Sequence, residues 1–314
     1  MRVFRTVFVR LSEAAVILLA IPTGLSLLNR LAPQFDSLAH FRLHLAAALT
    51  AAAILAAFLG ARRMAMVGGL TVVAALVLTY PYLPGLSPGS FSSANASPRS
   101  LRVLQFNTLY DNTQTDLAAR VIRAADPDVV FLQEVTDSPK ALINLLKDDY
   151  PVQLRCGDSA IGGATVISRI PAARDKIDCV ESFALSAIRL DLGGEPITFA
   201  SYHGFWPWPF NQQEGIDRLA GQLAALPHPL ILAGDFNATT WSEGVHQIAR
   251  LTDTSPAPGV RATWLSSHLP NALKPLVGLP IDQIMVSDEF TITSIATLPF
   301  AGSDHLPVVA DIAF

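Results

Sequence analysis

The sequence predicts an α/β fold preceded by three membrane-spanning helices, and three observations carry that prediction. The first is composition: of 314 residues, 51% are apolar and only 15% charged, with a mean hydropathy of +0.39. Such a chain is too apolar to be disordered and too sparsely charged to be an ordinary soluble protein. The second is an uneven division of charge. Residues 1–98 hold seven Arg, no Lys, Glu13 and Asp36, a net of +5, whereas residues 99–314 hold 11 Arg and four Lys against 24 acids, a net of −9. The third is pattern: from Leu101 onward, short β-rich runs alternate with runs of helical period.

The apolar part comes first. Ala14–Leu28, Leu43–Gly60 and Met64–Leu83 are the three stretches, each close to the roughly 20 residues that a spanning helix requires. A cleaved signal peptide is the alternative for the first, with Arg2, Arg5 and Arg10 as its basic region. No small-x-small cleavage site follows it, however, and two further apolar stretches do, so three retained spans are expected. Arg2, Arg5, Arg10, Arg62 and Arg63 fall on one side of such a bundle, against Arg30 and Arg42 on the other. This bias places the N-terminus in the cytoplasm and the acidic half outside, which in a bacterium means an inner-membrane protein with a periplasmic domain. His40 and His44, four residues apart, read either as a metal or proton site or as an interhelical polar contact, and the second is the expectation. Residues 84–99 (PGLSPGSFSSANASPR) read as a linker. The expected organisation is an anchor over 1–83, the linker, and a catalytic domain over 100–314.

In that last part, Leu101–Phe106, Val129–Leu132, Ala164–Ser168, Ala187–Leu192, Ile197–Ser201, Leu230–Ala233, Ile281–Val286 and Leu306–Ile312 read as strands. Asp116–Ala125 and Pro139–Lys147 read as helices, and Ile216, Leu219, Leu223 and Leu226 mark one face of a third. Polar residues gather at the strand ends. Asn107, Glu134, His203, Asp235 and Asn237 follow four apolar strands, and Asp282, Asp304 and His305 precede two others. In a mixed sheet the end of one strand and the start of an antiparallel neighbour share an edge, so all eight can meet on one rim. Carboxylates, amides and imidazoles together suit a hard cation with bases beside it, Mg²⁺ or Mn²⁺ rather than Zn²⁺. Each segment also has a bland reading: an Asx turn for Gly234-Asp235-Phe236-Asn237, a solvated strand end for Glu134, a local turn for Ser303-Asp304-His305. Asp282, between apolar neighbours, needs a buried partner.

The order Phe106-Asn107, Gln133-Glu134, His203, Gly234-Asp235-Phe236-Asn237, Ile281-Asp282 and Ser303-Asp304-His305 resembles the endonuclease/exonuclease/phosphatase superfamily. The resemblance implies a four-layered α/β sandwich of two packed mixed sheets and divalent-metal hydrolysis of phosphoesters. It implies Glu134 as a metal ligand, with Asn107 and Asp304 as ligands or their supporting partners. It implies that Asp235 activates water, that Asn237 positions the phosphate, and that His305 binds the phosphate or acts as base. It further implies that His203, paired with Asp282, stabilises developing charge or protonates the leaving oxygen. The three spans are similar to a membrane-anchored bacterial branch. Ser201-Tyr202-His203 departs from the family's Thr-His, and Gln283 follows Asp282 where many relatives carry His, Tyr or Arg. A catalytically inactive binding module would lack a residue of this set, and none is missing.

The acidic balance argues against a long polyanion as partner, because nucleic-acid capture normally uses a basic face. A small or lipid-derived phosphoester met near the membrane is therefore expected, with nucleic acid as the runner-up. Trp206-Pro207-Trp208-Pro209 reads either as an aromatic rim for substrate or headgroups, or as a rigid loop packed on the domain. Cys156 and Cys179, the only cysteines, are expected to form a disulfide outside the cytoplasm, closing a loop that stabilises the domain by about 3 kcal/mol in the chain-entropy model. Two unrelated buried thiols are the alternative.

Overall fold

The computed structural model of the chain describes residues 2–83, 100–136, 142–156, 159–175 and 184–314. Four helices come first: α1 (Arg2–Leu25), α2 (Pro33–His40), α3 (Arg42–Leu59) and α4 (Arg62–Thr79). Three helical stretches, Phe4–Leu28, Arg42–Leu59 and Arg62–Tyr82, are long and apolar enough to cross a membrane. They pack around Val16, Leu49, Ala52 and Ala56. Small residues bring the backbones together, as where Gly68 lies against Ala53. Gly60, at φ 95°, closes α3 in the left-handed conformation that an L-residue resists. Between α1 and α3, α2 forms because Pro33 presets the first helical turn.

The rest is built on two sheets. Strands β1 (Ser100–Asn107), β2 (Val129–Val135), β3 (Val152–Arg155), β4 (Gly163–Ser168), β10 (Thr291–Thr297) and β11 (Val308–Ala313) form one, in the order β10-β11-β1-β2-β4-β3. Strands β5 (Leu185–Asp191), β6 (Pro196–His203), β7 (Leu230–Asp235), β8 (Ser255–Pro256) and β9 (Asp282–Val286) form the other, in the order β5-β6-β7-β9-β8. Both are mixed: β1 runs parallel to β2 and β6 to β7, and the remaining pairs are antiparallel.

Val103, Phe131, Val166, Phe199, Ile231 and Ile284 fill the space between the sheets. The outer face of the first is covered by α5 (Thr115–Ala125) and α6 (Leu142–Leu145), through Ala118, Ile122 and Leu142 on Leu104, Phe106 and Leu132. The outer face of the second is covered by α7 (Gln212–Ala224) and α8 (Glu243–Thr252), through Ile216, Leu219, Leu223, Val245 and Ile248. The result is a four-layered sandwich. Strand period decides who faces whom: Leu101 and Val103 point to the partner sheet and Leu104 and Phe106 to the helices, so Gln105 and Asn107 fall on the inter-sheet side.

Several elements were not read from the sequence. Helix α8 is capped by Ser242, whose Oγ accepts from Val245 N at 3.2 Å. Strand β10 is an edge strand with no buried residue, so it lacks the alternation that marks a half-buried strand. The helix expected over Pro139–Lys147 is limited to α6, and residues 137–141 lie outside the described residues, as does the expected linker at 84–99. A last short helix, α9 (Lys274–Val277), precedes β9. Cys156 is buried and disulfide-bonded; Cys179, its expected partner, lies outside the described residues.

The N-terminal helices and the sandwich are joined by specific bonds. Asp36 of α2 accepts from Glu243 N (2.8 Å) and Gly244 N (3.1 Å), so a carboxylate of the first unit caps a helix of the second. Trp241 Nε1 donates to Ala39 O at 2.7 Å, and Tyr82 Oη lies 2.8 Å from His246 Nε2. His40 is buried with Nδ1 at 2.7 Å from Asp36 O, and His44 Nε2 lies 3.1 Å from Val277 O. His40 thus bonds within α2, and His44 reaches across to α9. Asp36→Ala is expected to remove about 1 kcal/mol of stability, read as a Tm lower by about 2–4 °C in the detergent-solubilised chain. Asp36→Asn, which keeps one acceptor, should recover part of the loss.

Candidate active site

One edge of the sandwich collects the polar residues, and strand direction explains why. Parallel β1 and β2 end there together, with Asn107 opposite Gln133. Parallel β6 and β7 end there too, with His203 opposite Asp235, and antiparallel β9 begins there, with Asp282 opposite Asp235. Strand β11 runs antiparallel to β1, which brings Asp304 and His305, just before it, back to the same edge.

All eight residues singled out from the sequence lie at this edge, and several are joined by hydrogen bonds. Asn107 Nδ2 donates to Glu134 Oε1 and to Asp235 Oδ2, both at 3.0 Å, and so bridges the two sheets. Glu134 Oε2 accepts from Tyr110 N at 2.9 Å. The register between β2 and β4 shifts between Leu132 and Val135, and Glu134 takes φ 58°. This bulge turns the carboxylate out of the ladder and into the site, in a conformation that costs a non-glycine residue about 1–3 kcal/mol. Asn237 is also left-handed, at φ 48°. Its N–H donates to Asp235 Oδ1 at 2.8 Å, and its Nδ2 to Gly204 O at 2.9 Å. The Asx turn is thus real, and the other oxygen of Asp235 still faces the site.

His305 sits between two carboxylates. Its Nδ1 is 2.9 Å from Asp282 Oδ2, and its Nε2 is 3.5 Å from Asp235 Oδ2. The sequence reading paired Asp282 with His203, and this is corrected. Asp282 is taken by His305 and by Gln105 Nε2, which donates to its Oδ1 at 2.8 Å. His203 instead turns Nε2 towards Glu134 (3.7 Å) and Asp235 (3.8 Å), beyond hydrogen-bond reach. Asp304 accepts at Oδ2 from Trp264 Nε1 (2.9 Å), and Lys274 Nζ donates to Asp304 O (2.6 Å).

Burial acts differently on these groups. It holds His203 below the ordinary imidazole range, against a smaller pull from Glu134. Burial also disfavours the charge on His305, but Asp282 and Asp235 outweigh it and raise the group well above that range, so the ring is cationic. Asp235 is raised by burial first and by neighbouring Asp282, while His305 and the bonds from Asn237 and Asn107 pull it back. A buried carboxylate left under such pressure calls for added positive charge.

The donor set fits a hard divalent cation. Asp235, Asp282 and His305 offer ligand atoms within 4.8 Å of one another. Yet the Asp282 side chain is fully buried and its two oxygens are engaged by His305 and Gln105. Glu134 lies between two cavities. One, of about 360 Å³, is lined by Thr108, Tyr110, Asn112 and Thr136; the other, of about 310 Å³, by Ile161, His203, Phe205, Trp206 and Asn237.

Residues 104–305 match the Endonuclease/Exonuclease/phosphatase family. The chain belongs to that family. Its members are typically metal-dependent phosphoester hydrolases. The family fold recurs in an endonuclease/exonuclease/phosphatase from Beutenbergia cavernae at 21% identity, where 69% of this chain overlays 72% of that one with a TM-score of 0.53. It recurs in the beta toxin of Staphylococcus aureus, solved with bound magnesium ions, at 14% identity, 68% of this chain, 99% of that one and a TM-score of 0.51. It recurs also in TDP2 of D. rerio, solved with a single-strand DNA product, at 17% identity, 68% of this chain, 99% of that one and a TM-score of 0.53. No curated protein matches the chain.

Residues outside the expected set support this edge from beneath and beside it. Gln105, Gln133 and Ser201 form a buried chain beneath it: Gln105 Nε2 donates to Gln133 Oε1 at 2.9 Å, and Gln133 Nε2 to Ser201 Oγ at 3.0 Å. The available signal was a glutamine on the inward face of an otherwise apolar strand. Trp264 and Lys274 carried no sequence signal, since each acts through a fold-dependent contact to Asp304. Gln105→Leu leaves Asp282 short of a buried partner and is expected to cost about 1–3 kcal/mol, read by chemical denaturation. Gln105→Glu, which places a second carboxylate against Asp282, should cost more.

Proposed function

We propose that the protein is a membrane-anchored, divalent-metal-dependent phosphoester hydrolase of phosphodiesterase type, acting on the non-cytoplasmic side. The convergence of Asn107, Glu134, His203, Asp235, Asn237, Asp282, Asp304 and His305 on one sheet edge carries the reading. Glu134 and Asp304, steadied by Asn107, would hold Mg²⁺ or Mn²⁺. The bound cation would supply charge neutralisation at a phosphoryl oxygen. Asp235, with a raised proton affinity, orients and deprotonates the attacking water. His305, cationic between Asp282 and Asp235, donates to a phosphoryl oxygen. His203 offers an N–H to charge developing in the transition state, and Asn237 positions the phosphate. The two cavities flanking Glu134 give a diester room for both ester arms.

The anchor reading assigns 1–83 to three spans, 84–99 to a linker and 100–314 to the catalytic domain, inner-membrane with a cytoplasmic N-terminus and a periplasmic domain. Two features support it. The Arg bias is one. The other is that three spans put the α1–α3 connection and the end of α4 on the same side, and the sandwich bonds to both, through Asp36 and Tyr82. A small or lipid-derived phosphoester suits the net charge of −9 over residues 99–314.

With bis(p-nitrophenyl) phosphate as substrate, turnover is expected to require Mg²⁺ or Mn²⁺ and to vanish with EDTA. Glu134→Gln should lower it by about 100-fold or more and weaken metal affinity; unchanged metal affinity would remove Glu134 from the ligand set. Asp235→Asn and His305→Ala should lower kcat far more than metal affinity, and a near-normal rate in either would take that residue out of the chemistry. Duplex DNA should be a poor substrate at physiological salt. Efficient DNA cleavage with no small-diester turnover would replace this substrate class by a nuclease one and leave the metal site standing.

A further inference from the structure

We propose that helix α9 and the Trp206–Phe210 loop form a foot that lies in the headgroup layer of the bilayer and seats the mouth of the active site on the membrane surface. The proposal rests on the reading above that α1, α3 and α4 cross a membrane, and it adds where the catalytic unit meets that membrane.

The distribution of exposed apolar side chains is the first argument. Among the described residues from 100 onward, nine large hydrophobics are exposed. Three of them lie in Trp206–Phe210 and four in Leu269–Val277, so seven of nine fall in two short segments. The two others, Tyr110 and Ile161, line the cavities on either side of Glu134. Among the described residues, the apolar exposure of the sandwich thus falls at the site and in these two segments, whereas scattered exposure is what an ordinary surface shows.

The second argument is continuity with the spanning helices. Ser37 Oγ, in the connection between α1 and α3, donates to Trp208 O at 2.8 Å. His44, in the first turn of α3, meets Val277 O at 3.1 Å. Leu276, 79% exposed, shares a cavity with His44 and Ala47. Ala47 is five residues into α3, about 7.5 Å along a helix rising 1.5 Å per residue. Leu276 is therefore level with the first turns of a spanning helix, at the depth where the apolar face of an interfacial helix lies. Trp208 and Phe210 stand beside Leu31 and Pro33, at the mouth of the same connection. Trp, Phe and Leu are the side chains that settle at this boundary.

The third argument ties the foot to the chemistry. Lys274 of α9 holds the carbonyl of Asp304. Trp206 lines the cavity next to His203 and packs edge-on against Trp264, with ring centroids 5.5 Å apart; Trp264 in turn holds the Asp304 carboxylate. The surface that meets the headgroups and the residues that position the site are thus the same short segments. A soluble protein partner on this face would have to displace lipid from beside the spans, so the bilayer is the occupant.

The test uses the full chain in nanodiscs of phosphatidylcholine and phosphatidylglycerol. Leu276→Cys, Phe210→Cys and Arg120→Cys are each labelled with an environment-sensitive NBD probe without reductant. Arg120 is the reference, on the α5 layer that covers the sheet away from α8. Phosphatidylcholine spin-labelled at the top of its acyl chain should quench the probes at 276 and 210 at least about threefold more than at 120, with blue-shifted emission. Quenching at 276 and 210 no greater than at 120 would overturn the foot. Having two independent positions guards against one label disturbing its own segment. Turnover of bis(p-nitrophenyl) phosphate by the unlabelled chain reads the chemistry separately. Turnover without quenching sinks the foot alone, and quenching without turnover supports the foot and sinks the hydrolase reading alone.

Discussion

The buried carboxylate of Asp282 is the constraint on which the rest of the site depends. It lies at the interface of the two sheets, fully removed from solvent, and it is made tolerable by a donor from each direction: Gln105 from the facing sheet and His305 from the loop before β11. Elsewhere the sheets meet through apolar side chains, which attract without fixing a relative position to better than the slack of packing. A buried, hydrogen-bonded charge has a narrower tolerance, because losing either partner leaves an unpaired carboxylate. Gln133 and Ser201 extend the same logic one step deeper. The sheets are therefore registered at the edge where the chemistry needs them registered.

Precision at that edge is maintained against local preference. Glu134 and Asn237 both adopt left-handed backbone conformations, one in a bulge and the other in an Asx turn. Their neighbours over-determine these conformations: Tyr110 N and Asn107 hold the Glu134 carboxylate, and Gly204 O and Asp235 hold Asn237. Gly234 belongs to the same arrangement, since a Cβ there would collide with the carbonyl of Tyr202 and push β7 away from β6. The separation of His203 from Asp235 follows from that close approach.

The junction with the N-terminal helices shows the same economy of charge. Asp36 is one of only two acids before residue 99, and it is spent on the N-terminus of α8 in the sandwich. Trp241 Nε1 and Tyr82 Oη reinforce the contact, their rings 6.4 Å apart. The N-terminal unit is thus bonded into the sandwich, and α9 and the Trp206 loop share the face on which it docks.

Most of the strands, the helical face of α7 and the eight polar strand-end residues were legible in the sequence, because each is a local pattern: period two, period 3.6, or a polar residue closing an apolar run. The mixed direction of the strands, on which the shared rim depends, came only as what the family resemblance implies. The pairing within that rim was not legible. Asp282 takes His305, 23 positions away, and Gln105, 177 positions away, rather than His203; that choice depends on how the two sheets face each other. Edge strand β10, without buried alternation, and α2, in a connection with no apolar period, were silent for the same reason. The sequence by itself determined which residues stand at strand ends and which stretches are apolar enough to span a membrane, since both follow from side-chain chemistry and short-range geometry. Only the tertiary structure decided which histidine pairs with Asp282, which carboxylate is occupied and which apolar loop lies beside the N-terminal helices, because burial and partnership are properties of contacts between residues far apart in the chain.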